Sequence, residues 1–171
     1  KVQNMRIYNN ARIDRVLYYA ASVFAYAGGP LQDVFEVATR DMGCSENVDI
    51  FDTESGFLAA QVDGVNVIFG SYDALCSRGL EITDEQSFDD VDFEGEHEIM
   101  YMFRENKLVA KMYIQYVMDA DIALILKQFS GSGLYVCVRT FDPNIDERMI
   151  ARKVKMKRMP LKQSMPDSRK E

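Results

Sequence analysis

The stretch from Ala20 to Gly70 constrains this chain most, because helix and strand signals alternate there with hard stops between them. Val16, Leu17, Ala20, Ala21 and Phe24 recur at three-and-four spacing, which predicts a helix opened by Asp14 and running through Tyr26. Gly28-Gly29 ends it, and Pro30 suits the first position of a second helix, where a missing N–H costs nothing. That helix, Leu31 to Met42, puts Leu31, Val34, Phe35 and Ala38 on one face and closes at Gly43. Val48 to Phe51 then reads as a strand. Phe57 to Val62 and Val65 to Phe69 flank Asp63-Gly64, a pair that favours a two-residue hairpin turn.

The remaining chain follows the same grammar. Val2 to Tyr8 is a strand ended by Asn9-Asn10, and Ser71 caps a short helix that stops at Gly79. Glu98 to Arg104 and Lys107 to Tyr116 form a second hairpin around Glu105-Asn106. Ala120 to Phe129 is helical and leads through Gly131-Ser132-Gly133 to a strand, Leu134 to Thr140, a strand–helix–strand unit of the parallel type. Ile145 to Lys153 is a last helix, capped by Asp142 or Asn144. The expected class is α+β: a mainly antiparallel twisted sheet with a helix pair packed on it, and a short β-α-β unit at the C-terminal end. The domain division is 1–116 with an acidic loop at 81–98, then 117–153, then a basic tail, 154–171, expected to fray.

An apolar content of 47% supports a folded globule, and a net charge of −7 argues against nucleic acid as a partner. The acidic run from Glu81 to Glu98 lacks the ligand spacing of a calcium loop and reads as a solvated loop. Cys44, Cys76 and Cys137 are too scattered for a disulfide framework, and the single His97 makes no zinc site. No apolar run reaches the ~20 residues of a membrane span. The chain begins at Lys1 and carries no signal-peptide pattern, so a segment of a longer product is expected. No nucleophile constellation or P-loop is present, and no catalytic or metal residue is assigned.

The order of landmarks (Ala20-Ala21-Ser22, Pro30-Leu31, Gly56, Asp63-Gly64, Gly70, then Thr140 and Asp142) resembles the cytoplasmic nucleotide-binding domain of P-type cation-transporting ATPases, heavy-metal branch. The likeness extends into a fragment of the haloacid-dehalogenase-like phosphorylation domain, from Val2 to about Ile150. The family carries an acidic residue where this chain has Phe24. Its Glu-His pair corresponds to Gly28-Gly29, and its Gly-x-Gly turn to Glu54-x-Gly56. The scaffold half of each motif is kept and the chemical half replaced. Tyr116 stands where the family has an Asp, Asp119-Ala120 replace Arg-Pro, and Thr140-Phe141-Asp142-Pro143-Asn144 replaces Thr-Gly-Asp-Asn. No Asp-Lys-Thr-Gly-Thr is present, so no aspartyl-phosphate forms within this chain.

The resemblance implies a soluble domain on the cytoplasmic face of a membrane protein, partnered by the rest of its own polypeptide, its membrane helices and phosphorylation domain. The nucleotide-cradle positions are Phe24, Gly28, Gly29, Glu54 and Gly56, and the cofactor implied is ATP with magnesium, bound weakly if at all. Asp49, Asp52 and Glu54 read as exposed loop carboxylates rather than as a magnesium site. The alternative is a regulatory or protein-interaction module without nucleotide, its apolar groove lined by Tyr8, Tyr18, Tyr19, Phe24 and Tyr26. A phosphatase of the haloacid-dehalogenase type fits poorly without the nucleophilic aspartate.

Overall fold

The structure is a computed structural model that describes residues 1–89, 95–133, 136–154 and 161–164. Its centre is a six-stranded antiparallel sheet ordered β1-β6-β5-β4-β3-β2. The strands are β1 (Val2–Ile7), β2 (Val48–Glu54), β3 (Phe57–Val62), β4 (Val65–Gly70), β5 (Glu98–Arg104) and β6 (Lys107–Ile114). Asp63 and Gly64 at φ 52° and 80°, and Glu105 and Asn106 at 47° and 63°, close the two tight hairpins. Positive φ at both central residues matches the right-handed twist of the flanking strands.

Alternation along β3 assigns the two faces. Leu58, Ala60 and Val62 join the larger core under α1 (Ile13–Ala27) and α2 (Pro30–Ala38). Phe57 and Ala59 point the other way, to a smaller core with Leu75 of α3 (Tyr72–Ser77), Ile82, Tyr101, Phe103 and Leu108. Ser22 explains part of the Ala-Ala-Ser motif. Buried on α1, its Oγ donates to the Tyr18 carbonyl at 2.7 Å and accepts from the Ser45 amide at 2.8 Å, which moors the loop before β2. The second helix ends at Ala38, short of the expected Met42, because the Thr39 hydroxyl takes the Phe35 carbonyl and the next residues turn.

The first half of the acidic loop is built. A capping box of Thr83 and Gln86 starts α4 (Asp84–Ser87). The fully buried Lys111 on β6 donates to the carbonyls of Gln86 and Phe88 at 3.1 and 3.3 Å, with the Asp89 carboxylate 3.8 Å away. Residues 90–94 of the loop lie outside the described residues. Lys111→Ala removes this charged peg and its packed stem, so we expect a loss of about 2 kcal/mol in unfolding free energy. Hydrogen exchange should accelerate at Gln86–Asp89 before the sheet loosens.

The C-terminal unit differs from the expected one. β6 does not pair in parallel with the strand after α5 (Ala120–Gly131), because its two edges are already taken by β1 and β5. That strand, β7 (Val136–Arg139), instead pairs in parallel with β8 (Leu161–Ser164), with α6 (Glu147–Val154) between them. The parallel unit is therefore β7-α6-β8, one element later. Its helix is capped by Asp146, whose carboxylate accepts from the Met149 amide at 2.7 Å, and not by Asp142 or Asn144. Residues 161–164 of the tail expected to fray form β8, while 155–160 and 165–171 lie outside the described residues. Among the described residues no helix is long and apolar enough to cross a membrane.

Candidate functional site

The β2–β3 turn and the β4–α3 junction meet at one end of the sheet. Gly56, at φ +79°, passes so close to α3 that an added Cβ would lie 2.9 Å from Ser71 Oγ and 3.2 Å from Ala74 Cβ. Its carbonyl accepts from the Ser71 amide at 2.9 Å, and a Cβ on Gly70 would come within 2.5 Å of the same oxygen. Gly56 is required by its positive φ and the close side chains of Ser71 and Ala74, Gly70 by the close Gly56 carbonyl, and Ser71 then caps α3 through the Ala74 amide. The space beside Gly56 is filled by the protein's own helix.

Glu54 does not stand as a bare carboxylate at this turn. With Asp52, two residues earlier on the same side of β2, it grips Arg78: the guanidinium donates to Glu54 at 2.9 Å and to Asp52 at 2.7 Å. These bonds raise the Arg78 pKa above its ordinary range, and the group lies over the Phe57 ring at 4.1 Å. The negative charge of Glu54 is thus offset locally. The i, i+2 spacing of Asp52 and Glu54 was the available signal for a shared cation; Arg78, at the C-terminal end of α3, could not be located from spacing alone.

Phe24 is the largest departure from the cradle expectation. It is 0% exposed, stacked on Phe35 at 5.6 Å and edge-on to Phe69 of β4 at 5.1 Å. The side chain belongs to the larger core and offers no surface to a ligand. Gly28 and Gly29 follow at the C-terminal end of α1, at φ 74° and 86°, as the cap of one helix and the entry to the next. An added Cβ on Gly29 meets nothing within 4 Å. The structure therefore separates the five positions: Phe24 inside the core, Gly28 and Gly29 at an open surface turn, Glu54 and Gly56 against Arg78 and α3.

The aromatic groove divides in the same way. Tyr19 and Phe24 are buried in the larger core, Tyr8 packs against the smaller core across the sheet, and Tyr26 is 58% exposed. Tyr18 packs against the larger core beside them, so the α1 rings and Tyr8 lie over different cores and line no common groove.

Near the C-terminal unit, Asp142 is buried. Its carboxylate accepts from the Tyr116 hydroxyl at 2.8 Å and from the Asn144 amide at 2.9 Å, and Asn144 Nδ2 donates to the Tyr116 oxygen at 3.0 Å. Burial lifts the Asp142 pKa to about 6 against an ordinary 3.8, more than its hydrogen bonds lower it, and burial likewise drives the Tyr116 phenol upward. The two positions at which the chain departs from or keeps the resembled motif, Tyr116 and Asp142, are thus bonded to each other. An aspartate at 116 would set two carboxylates together in the interior. This carboxylate is spent on internal hydrogen bonds.

Compared by sequence, the chain matches no family model and no curated protein. Compared by structure, it is similar to the N-domain of HMA8, a copper-transporting P-type ATPase, at TM-score 0.49 and 19% identity over 67% of this chain and 98% of that one. The N-domain of HMA6, also a copper-transporting P-type ATPase, gives 0.46 and 18% over 65% and 94%. A zinc-transporting PIB-type ATPase gives 0.46 and 16% over 95% of this chain and 26% of that one. These three solved structures, similar to this chain in trace, are two N-domains of copper-transporting P-type ATPases and one zinc-transporting PIB-type ATPase.

Proposed function

We propose that this chain is a nucleotide-binding-type domain of a protein related to P-type cation-transporting ATPases, in which the contacts to ATP have been replaced by internal packing. The observation that carries this reading is Phe24. At the position of the family's acidic residue the chain places a ring wholly inside the core. Arg78 bound to Asp52 and Glu54, and Asp142 bound to Tyr116, point the same way. The domain works on the cytoplasmic face of a membrane with the rest of its own polypeptide. Ile122, Leu124, Ile125 and Phe129, exposed on α5, favour that partner over solvent.

Titration calorimetry with magnesium-ATP tests the loss. The expected result is no saturable binding at the cradle positions, with amides of Gly28, Gly29 and Gly56 unshifted and a dissociation constant there weaker than about 1 mM, equivalent to roughly −4 kcal/mol. Micromolar affinity with amide shifts at Gly28, Gly29 and Gly56 would overturn the reading. No binding, together with association with the remainder of the polypeptide, would favour an interaction module on the same fold.

A further inference from the structure

The opposite end of the sheet carries a basic pocket. The β1–α1 loop, the first turn of α1 and the β5–β6 turn enclose about 330 Å³, lined among others by Arg12, Arg15, Tyr19, Arg104 and Lys107. Strand register sets its place: Arg104 lies opposite Val67, while Tyr101 lies opposite Gly70, beside the Gly56 turn. Four cations gathered in one concavity stand out in a chain of net charge −7.

Arg12 is paired with Asp14 at 2.8 Å, and Glu105, inside the β5–β6 turn, is bonded to the Asn66 amide at 3.0 Å. Among the described residues no ion pair involves Arg15, Arg104 or Lys107. Arg15 and Arg104 both rest on the Tyr19 ring, 5.1 and 5.6 Å from its centroid. Tyr19 is buried, so the platform is fixed, and its hydroxyl accepts from Arg15 at 3.0 Å. Both guanidiniums line the same concavity, where an anion would offset their shared positive charge and supply acceptors for their spare N–H groups. The planar guanidinium fork matches phosphoryl oxygens, and Lys107 adds a mobile point charge.

We propose that this pocket binds a small, multiply charged phosphoryl anion of the pyrophosphate type, at a site separate from the cradle positions around Gly56. The same chemistry occurs free or as a phosphomonoester lipid headgroup. Calorimetric titration of the chain with inorganic pyrophosphate at about 50 mM salt gives saturable binding, weakened about tenfold or more in R104Q/K107Q and similarly weakened in about 0.5 M salt. Lys127→Gln, on α5, removes one charge elsewhere and leaves affinity unchanged.

Both substituted residues are exposed, so R104Q/K107Q keeps the parent melting temperature. Lys107→Gln alone carries the comparison if the pair does not. Co-sedimentation with phosphatidylcholine vesicles, with and without phosphatidic acid, separates the sources. Capture that depends on Arg104 and Lys107 and on the acidic lipid supports the headgroup form, and pyrophosphate binding alone supports the free one. The proposal fails if neither probe binds saturably, or if R104Q/K107Q binds as tightly as the parent, the result expected of adhesion to the basic segment Arg148–Lys170. Because the readout lies at Arg104 and Lys107, a surprise in ATP affinity at Gly56 leaves it untouched.

Discussion

Phe24→Glu, which returns a carboxylate to the place where the resembled family has one, leaves the domain unfolded at room temperature. Position 24 has no route to solvent: Phe35 stacks on one side and Phe69 closes another. Removing the ring alone costs about 3–5 kcal/mol through lost burial and an unfilled cavity. A carboxylate in the same space adds an uncompensated desolvation cost of several kcal/mol, and the sum reaches the whole stability of an ordinary domain, about 5–15 kcal/mol. Phe24→Leu keeps most of the volume and costs about 1–2 kcal/mol. Circular dichroism and denaturant titration distinguish the outcomes. A cooperatively folded Phe24→Glu protein would mean that α1 can rotate this position to the surface, and the argument that the cradle has been packed shut would collapse.

Stability should also fall as pH rises through the titration of Asp142. The folded-state pKa, about 6, lies above the ordinary 3.8. The native protein therefore binds a proton more tightly than the unfolded chain between those values. Below the lower one the two states are equally protonated at this group, and above the higher one the native state bears an unfavourable buried charge. The contribution is a loss of about 2–3 kcal/mol in unfolding free energy on going from about pH 4 to about pH 7. Asp63 acts in the opposite sense, since bonds from Ser45 and Tyr18 lower its pKa, so its stabilisation is lost as pH falls below the ordinary carboxylate range. The clean measurement is the difference between the parent and Asp142→Asn, followed by denaturant unfolding across that window. The parent curve drops relative to the variant with a midpoint between the two values. Parallel curves would show that Asp142 is solvated in the folded protein.

Local grammar was legible where one residue type has few ways to act. Asp63-Gly64 and Glu105-Asn106 made the hairpins, Gly28-Gly29-Pro30 ended one helix and began the next, and Ser71 capped the short one, because turn and cap chemistry operates over two to four residues. The cradle positions were legible only as positions. Their spacing could not reveal that the side chain at 24 points into the core, that Arg78 comes round to hold Asp52 and Glu54, or that α3 occupies the space beside Gly56. The C-terminal strand pairing was misjudged for a related reason. Adjacent strand and helix signals suggest a parallel partner, but the N-terminal strand β1 had already closed the edge of β6 from more than a hundred residues away.

From the order of its residues alone, this protein was bound to be an acidic α+β chain with two tight hairpins and a broken helix pair. Each of those features follows from backbone preferences and hydrophobic period within a short window. Tertiary packing decided which carboxylates are spent on arginine and tyrosine partners, which ring is interior, and which cations collect around Tyr19. Those outcomes depend on contacts between segments far apart in the chain, and the free energies of burial and charge pairing that settle them exist only once the sheet has brought the segments together.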